Sequence, residues 1–356
     1  GRFIMKCPSF FMPRSILFSL LVSSILVCTS CQHKVVSPTS ISIDYPVAYI
    51  INGGENSVSL LNINTLKIEN TYFIPEFQDR YAHHIYLSSN KDKLAIAMPA
   101  YDFSGGHSGL HNVSALGGIA VLDAKTLELI QKIPVNFANH NAVFAENDQE
   151  IWTTTHSHSG ELVVFSAQDG SEKHRQPLGP DPSEIIITPN QYALAAVGES
   201  SFVSAVSTKT KAEAKFIKVD LFPTNVWPGN DTLAIVENKN KKSINFIDIR
   251  TLKGIDAIDT PFIPGFSCFI HNELWIVEPN TKNVHIYQKR KELWQEVAIL
   301  EAGEDAHSIG FIPEKNLVII VNQKEASISL FEANTRQKIK TLPVGLKPNG
   351  IAIRMN

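Results

Sequence analysis

The sequence predicts an all-β fold: a seven-bladed β-propeller of four-stranded blades, its ring closed by the C-terminal strand completing blade one. Three observations carry this. Short β-rich runs separated by polar turns fill the chain, and they recur in units of about 42 residues. The units number seven, the first without an opening strand and the last followed by a spare one.

Runs such as SVSLLN and SINFID alternate or stay apolar over about six residues, the length of a strand, and nothing supplies a long helical period. The repeat is plainest near the C-terminus, where KNLVIIV is followed by ASISLFE and KIKTLPVGLKPNGIAI. Upstream stand NELWIV, NVHIYQ and EVAILEAGEDAHSIGF, and before them DTLAIV, SINFIDIRTLKG and DAIDTPFIPGFSCF. The opening strands align at His83, His140, Ser183, Thr224, Gly265, His307 and Asn349, with gaps of 57, 43, 41, 41, 42 and 42. The long gap holds AYDFSGGHSGLHNVSALGG, a single loop insertion in the second unit. Third strands SVSLLN, GIAVLD, ELVVFS, FVSAVS, SINFID, NVHIYQ and SISLFE count seven blades. The first unit begins with VAYIIN, a second strand, so Lys347 to Met355 fills its empty slot and removes two exposed sheet edges. SISI, Ser40 to Ile43, competes for that slot but leaves only Asp44 to Pro46 for a turn.

With 356 residues the chain has room for one large β-domain or two ordinary ones. Net charge is −3, and residues 1–30 hold Arg2, Lys6 and Arg14 and no acid, so the remainder carries −6. Such a body lacks the basic surface of sequence-independent nucleic-acid binding, and nucleic acid is excluded as a partner. After Arg14 the run SILFSLLVSSILVC is uncharged and apolar, short for a folded span and suited to a secretory signal. Met5 or Met12 is the start. The run ends in CTSCQ, with Thr29 and Ser30 before Cys31, which resembles the lipobox of bacterial lipoproteins; Cys28 stands where that pattern usually has Leu. The resemblance implies a signal peptide over 1–30, lipidation of Cys31, a tether over 31–44 and a propeller over 45–356. Acyl chains on Cys31 would make the membrane a partner without a span. Cys7 and Cys28 fall in the removed segment, so Cys268 alone remains, and it reads as a small buried hydrophobe.

The unit pattern is Pro-x-Gly, an apolar strand, a polar turn, a second strand, a Val-x-Val-Ile-Asp-like strand and a Thr-Ile-Pro-Val-Gly ending. KPNGIAI, GIAVLDAKTLELIQKIPV and SISLFEANTRQKIKTLPVG follow it. This resembles the YVTN-type, YncE-like seven-bladed propellers of bacterial envelopes, over nearly all of Tyr45 to Asn356. Blades 3 and 4 depart most, with NHNAVF and VGESSFVSAVS. The resemblance implies a fold and a binding or surface role, without a reaction.

In that geometry the first strand of each blade lines the central channel. The loop entering it and the hairpin between strands two and three open on one face, the top. His83, His140 and His307 then form one column at the mouth, and His84 follows His83. His107 and His111 lie in GGHSGLHN, the blade 2 insertion, and His156 and His158 in TTTHSHSGEL, the same loop of blade 3. All eight share the top face, in one sector of blades 7, 1, 2 and 3. Of the others, His33 lies in the tail, His271 in a bottom turn, His174 in a fourth strand and His285 in a third. Imidazoles suit copper and zinc. His156 and His158, two apart, point to one side in extended chain and make a chelating pair. The glycines of the insertion let it fold over the channel. Against this, single histidines at strand entries also satisfy backbone groups. Asp102 and Glu161 border the histidine loops, as hydrogen-bond partners of ligating histidines or as solvated acids. Glu184, Glu199, Glu237 and Glu278 near strand ends of blades 4 to 6 make the far side of the mouth acidic. Trp152, Trp227, Trp275 and Trp294 read as inter-blade packing. No G-x-S-x-G, P-loop, dinucleotide fingerprint or Cys-x-x-Cys-His is present.

The expectation is a monomeric cell-envelope binding protein, periplasmic or surface-exposed and anchored at Cys31, whose top face holds copper or zinc or a small ligand. One alternative is a metal-free scaffold for an envelope protein or a glycan. Another is a lactonase-like hydrolase or a metal-dependent oxidoreductase, with His as a base near pKa 6.5 but no identifiable nucleophile or oxyanion donor pair.

Overall fold

The computed structural model describes residues 41–106 and 114–355. They build seven four-stranded antiparallel sheets. Six run in chain order. In blade 1 the last strand of the chain, Pro348–Arg354, pairs with Val47–Asn52, which pairs with Ser57–Asn62 and then Lys67–Phe73. The spare C-terminal strand is thus the inner strand of blade 1, as the repeat count requires, and the ring closes. Of the competing segment, Ser40 lies outside the described residues and Ile43 packs in the core without joining the sheet; its amide donates to the Lys125 carbonyl at 2.9 Å. Ile41 packs against the same cluster, ahead of Tyr45. Buried Arg354 ties the closing strand down, donating to the Ala124 carbonyl at 2.8 Å and to that of Ile43.

Middle strands are buried along their whole length, as in Val47–Asn52 and Leu317–Asn322, because each face packs on a neighbouring blade. Outer strands such as Lys67–Phe73 mix exposed and half-buried residues. The core is accordingly a ring of apolar seams between blades: Tyr49 and Ile51 meet Ile85 and Leu94, and Ile270 and Trp275 meet Ile309 and Ile320. Trp152 and Trp275 are fully buried there, and Trp294 stacks on Phe246 at 5.2 Å. Cys268 joins one seam and burial pushes its thiol up to about 12, which removes it as a nucleophile. Among the described residues no helix is long and apolar enough to cross a membrane.

The inner strands are His83–Leu87, Ala142–Ala145, Pro182–Ile187, Pro223–Pro228, Ser267–Ile270, Ala306–Ile312 and Pro348–Arg354. In blades 1, 4, 5 and 7 the residue just before the strand is left-handed: Lys347, Asp181, Phe222 and Asp305, with φ between 50° and 64°. In these four blades the column residue, Asn349, Ser183, Thr224 or His307, stands two positions after it.

Candidate functional site

Consecutive strand residues normally face opposite ways, yet the rings of His83 and His84 stack at 4.1 Å and 18°. The cause is local. In blade 2 the left-handed residue is His84 itself, at φ 50°, and the ladder slips between His83 and Ile85. This bulge turns both imidazoles to one side. Asn349 of blade 1 holds the kink: its Oδ1 accepts the His84 amide at 2.9 Å, and its Nδ2 donates to the Ala82 carbonyl at 2.9 Å. Gly350 makes room, since a Cβ there would lie 2.9 Å from the His84 Cα. Left-handed backbone costs a residue with a Cβ about 1–2 kcal/mol, so packing from blade 1 must hold it.

His140 approaches from blade 3, its ring centroid 4.2 Å from His83 and 4.8 Å from His84. His307 comes from blade 7, 6.4 Å from His84. The three column histidines and His84 therefore converge. His83, His84 and His140 are buried, and burial also pushes the half-buried His307 imidazole well below its ordinary pKa, which favours the neutral form.

Beneath them lies Glu184 of blade 4, fully buried. Its Oε2 accepts from His84 Nδ1 at 2.8 Å and His140 Nδ1 at 2.6 Å, and its Oε1 accepts from the Tyr86 hydroxyl. Burial, with the Glu184 charge, drives Tyr86 far above its usual pKa and keeps it a donor. His83 Nδ1 donates to the His140 carbonyl at 2.7 Å. In all three imidazoles Nδ1 thus faces an oxygen, so in the neutral ring the lone pair sits on Nε2. One potential ligand atom from each of His83, His84 and His307 lies within 4.8 Å of the others, and the same holds for His84, His140 and Glu184. The second group is the hydrogen-bonded cluster itself. The first presents imidazoles with a carboxylate behind one of them, an arrangement that fixes ring orientation in metal sites.

Other expected residues fall elsewhere. His156 and His158 do not form a chelating pair. The chain turns at Ser157, so His156 is buried, with Nδ1 3.2 Å from the Pro182 carbonyl and its ring 5.7 Å from Phe103. His158 is exposed, 3.8 Å from Glu199. His107 and His111 lie outside the described residues, as do Cys31 and residues 1–30. Asp102 is not a partner of the histidines: it caps a short turn at Ser104 and pairs with Lys347, which holds its carboxyl below the usual range although burial opposes this. Glu161 pairs with Arg175. Glu278 hydrogen-bonds to Asn283 and His285. Glu184, expected only as one of four acids on the far side, is the residue that joins the histidines. Its signal was alignment: it follows Ser183 as His84 follows His83.

Trp227 also departs from a pure packing role. It lies 5.6 Å from His84 and lines a cavity of about 210 Å³ at the mouth, shared by His84, His140, His307 and Glu237. Glu237 accepts from Asn225 Nδ2 at 2.7 Å and Trp227 Nε1 at 2.8 Å, and burial pushes its carboxyl up to about 7 against those bonds. A group half protonated near neutrality can give or take a proton.

No family model and no curated relative matches the chain. Solved structures do. A protein from Lactobacillus plantarum superposes with a TM-score of 0.67 at 11% identity, over 87% of this chain and 99% of that one. The periplasmic gluconolactonase PpgL of Pseudomonas aeruginosa gives 0.65 at 12%, over 86% and 98%. A protein of unknown function from Desulfotomaculum acetoxidans gives 0.66 at 13%, over 87% and 99%. At such identities the likeness establishes one thing: the chain has the β-propeller fold.

Proposed function

We propose that this propeller is a lipid-anchored cell-envelope protein that binds one transition-metal ion, zinc or copper, at the channel mouth. In this reading Nε2 of His83, His84 and His307 are the ligands, and Glu184 orients His84 from behind. The observation that carries it is the convergence of imidazoles from blades 2 and 7 over a buried carboxylate. Neutral imidazoles are competent ligands without first losing a proton, and three protein ligands leave a further position open toward the cavity. Anchoring rests on the CTSCQ sequence alone.

The test is metal analysis of untagged protein, followed by titration of chelator-treated protein with zinc and copper. The expected result is one equivalent bound by wild type and strong weakening in His83→Ala and His307→Ala. Protein that binds neither ion at one-to-one stoichiometry would refute the proposal. The hydrolase reading draws on the likeness to PpgL and on Glu237 in the cavity; it predicts lactone turnover that falls in Glu237→Gln whether or not metal is present.

A further inference from the structure

The cavity at the mouth has two kinds of wall. Blades 2 and 7 contribute imidazoles, His84 and His307, which are two of the three ligands in the metal reading. Blades 5 and 6 contribute an apolar wall: Phe222, Ile263 and Phe266, with Trp227 packed on Phe266 at 4.3 Å. Phe222 and Phe266 are half-buried and Ile263 is 41% exposed, so this wall is accessible and not sealed. An ion held at the imidazoles therefore turns its open position toward a space that is partly aromatic and aliphatic.

Size limits what can enter. At about 210 Å³ the cavity falls short of the roughly 300–1,000 Å³ of drug-sized sites. An apolar cavity of about 150 Å³ already holds a benzene ring, so the space suits one aromatic ring and little more.

Charge selects the polar end of the ligand. The carboxylates of Glu184, behind His84, and of Asp305, in the lining, balance a divalent ion, and the site does not call for an anion. Zinc and copper accept aromatic ring nitrogens readily. An aromatic ligand also gains from offset or edge-on contact with Phe266 beyond the area it buries. We propose that the open coordination position takes the ring nitrogen of a small neutral aromatic heterocycle, whose ring packs against Phe266 and Ile263. This rests on the metal reading and adds the class of ligand that the ion would hold.

The experiment loads chelator-treated protein with one equivalent of copper or zinc and titrates it with pyridine, by calorimetry and, for copper, visible absorption. Ammonia offers the nitrogen without the ring, toluene the ring without the nitrogen, and benzoate an anionic ring. The expected result is saturable one-to-one binding of pyridine, about tenfold tighter than ammonia or better, with a shifted copper band. Toluene and benzoate should not saturate, and pyridine should not bind without metal. Phe266→Ala and Ile263→Ser should each weaken pyridine about tenfold, while metal uptake and the affinity for ammonia persist. The proposal falls if pyridine binds no tighter than ammonia, if toluene or benzoate binds in preference, or if both variants keep full affinity for pyridine. Should Phe266→Ala fail to fold, Ile263→Ser, at an exposed position, and the wild-type panel still decide. Absence of metal uptake overturns the metal reading and this one together; uptake without a preference for pyridine overturns this one alone.

Discussion

Replacing Glu237 with glutamine should stabilise the protein at alkaline pH and leave it nearly unchanged in acid. Glu237 is 4% exposed, and burial raises its pKa from 4.5 to about 7. A carboxyl with a higher pKa in the fold than in the unfolded chain holds its proton preferentially in the fold. Stability therefore falls as pH rises from about 4.5 and reaches its floor above about 7. At about 1.4 kcal/mol for each tenfold change in proton affinity, the rise to about 7 corresponds to roughly 3 kcal/mol. Glutamine has nearly the same shape and no proton to lose. Its oxygen can accept from Trp227 Nε1, and the Asn225 amide can turn over to receive its NH₂. Urea unfolding of chelator-treated wild type and Glu237→Gln, at pH 5 and pH 8, isolates the effect, because every other titrating group cancels in the difference. The variant should gain about 2.5 kcal/mol over wild type between the two pH values, because a little of the effect is already present at pH 5. An equal difference at both would show that Glu237 is ionised in the fold across the whole range, and the proton-transfer role suggested for it would go.

Two further changes probe the histidine cluster. Glu184→Gln keeps the shape but gives His84 and His140 a weaker acceptor, so zinc affinity should fall about 10–100-fold by isothermal titration; unchanged affinity would mean that Glu184 does not act through His84. Gly350→Ala puts a Cβ 2.9 Å from the His84 Cα and 3.2 Å from the Ile85 nitrogen. The backbone must shift, at about 1–3 kcal/mol, and both melting temperature and metal affinity should drop; a variant normal in both would show that the kink at His84 does not depend on blade 1.

The ring was legible because a propeller writes its period into the sequence. Seven column positions at nearly constant spacing fix seven inner strands, and the spare KPNGIAIRMN fixes how they close. His83, His140 and His307 were legible for the same reason. The rest depended on backbone detail that residue types do not encode. Nothing in HHIYL tells that His84 is left-handed, and alternation would send its ring away from His83. The same alternation placed His156 and His158 on one side, and it failed because the chain is turning there. Asp102 and Glu161 stood beside histidines in sequence, but nearby cations claimed them. Glu184 was visible only as one acid among four until the position after each column residue is compared.

That second position supplies an internal control on whether the cluster is structural. After the column residue stand Gly350, His84, Asn141, Glu184, Asn225, Phe266 and Ser308 in blades 1 to 7. Blade 3 uses Asn141 to bridge to blade 4, exchanging two hydrogen bonds with the Ile185 backbone, while Asn225 of blade 5 bonds to Glu237 within its own blade. A neutral amide therefore suffices at this place in the ring. A carboxylate taken out of water is expensive even with three donors, so His84 and Glu184 are a costlier solution than the fold requires. His84→Asn tests this directly, because asparagine is among the few residues at ease in left-handed backbone. The expected outcome is stability within about 1 kcal/mol of wild type, with metal affinity lowered about a hundredfold or more. If the variant instead unfolds, the imidazole is a structural member of the ring, and the case for a ligand at that position fails.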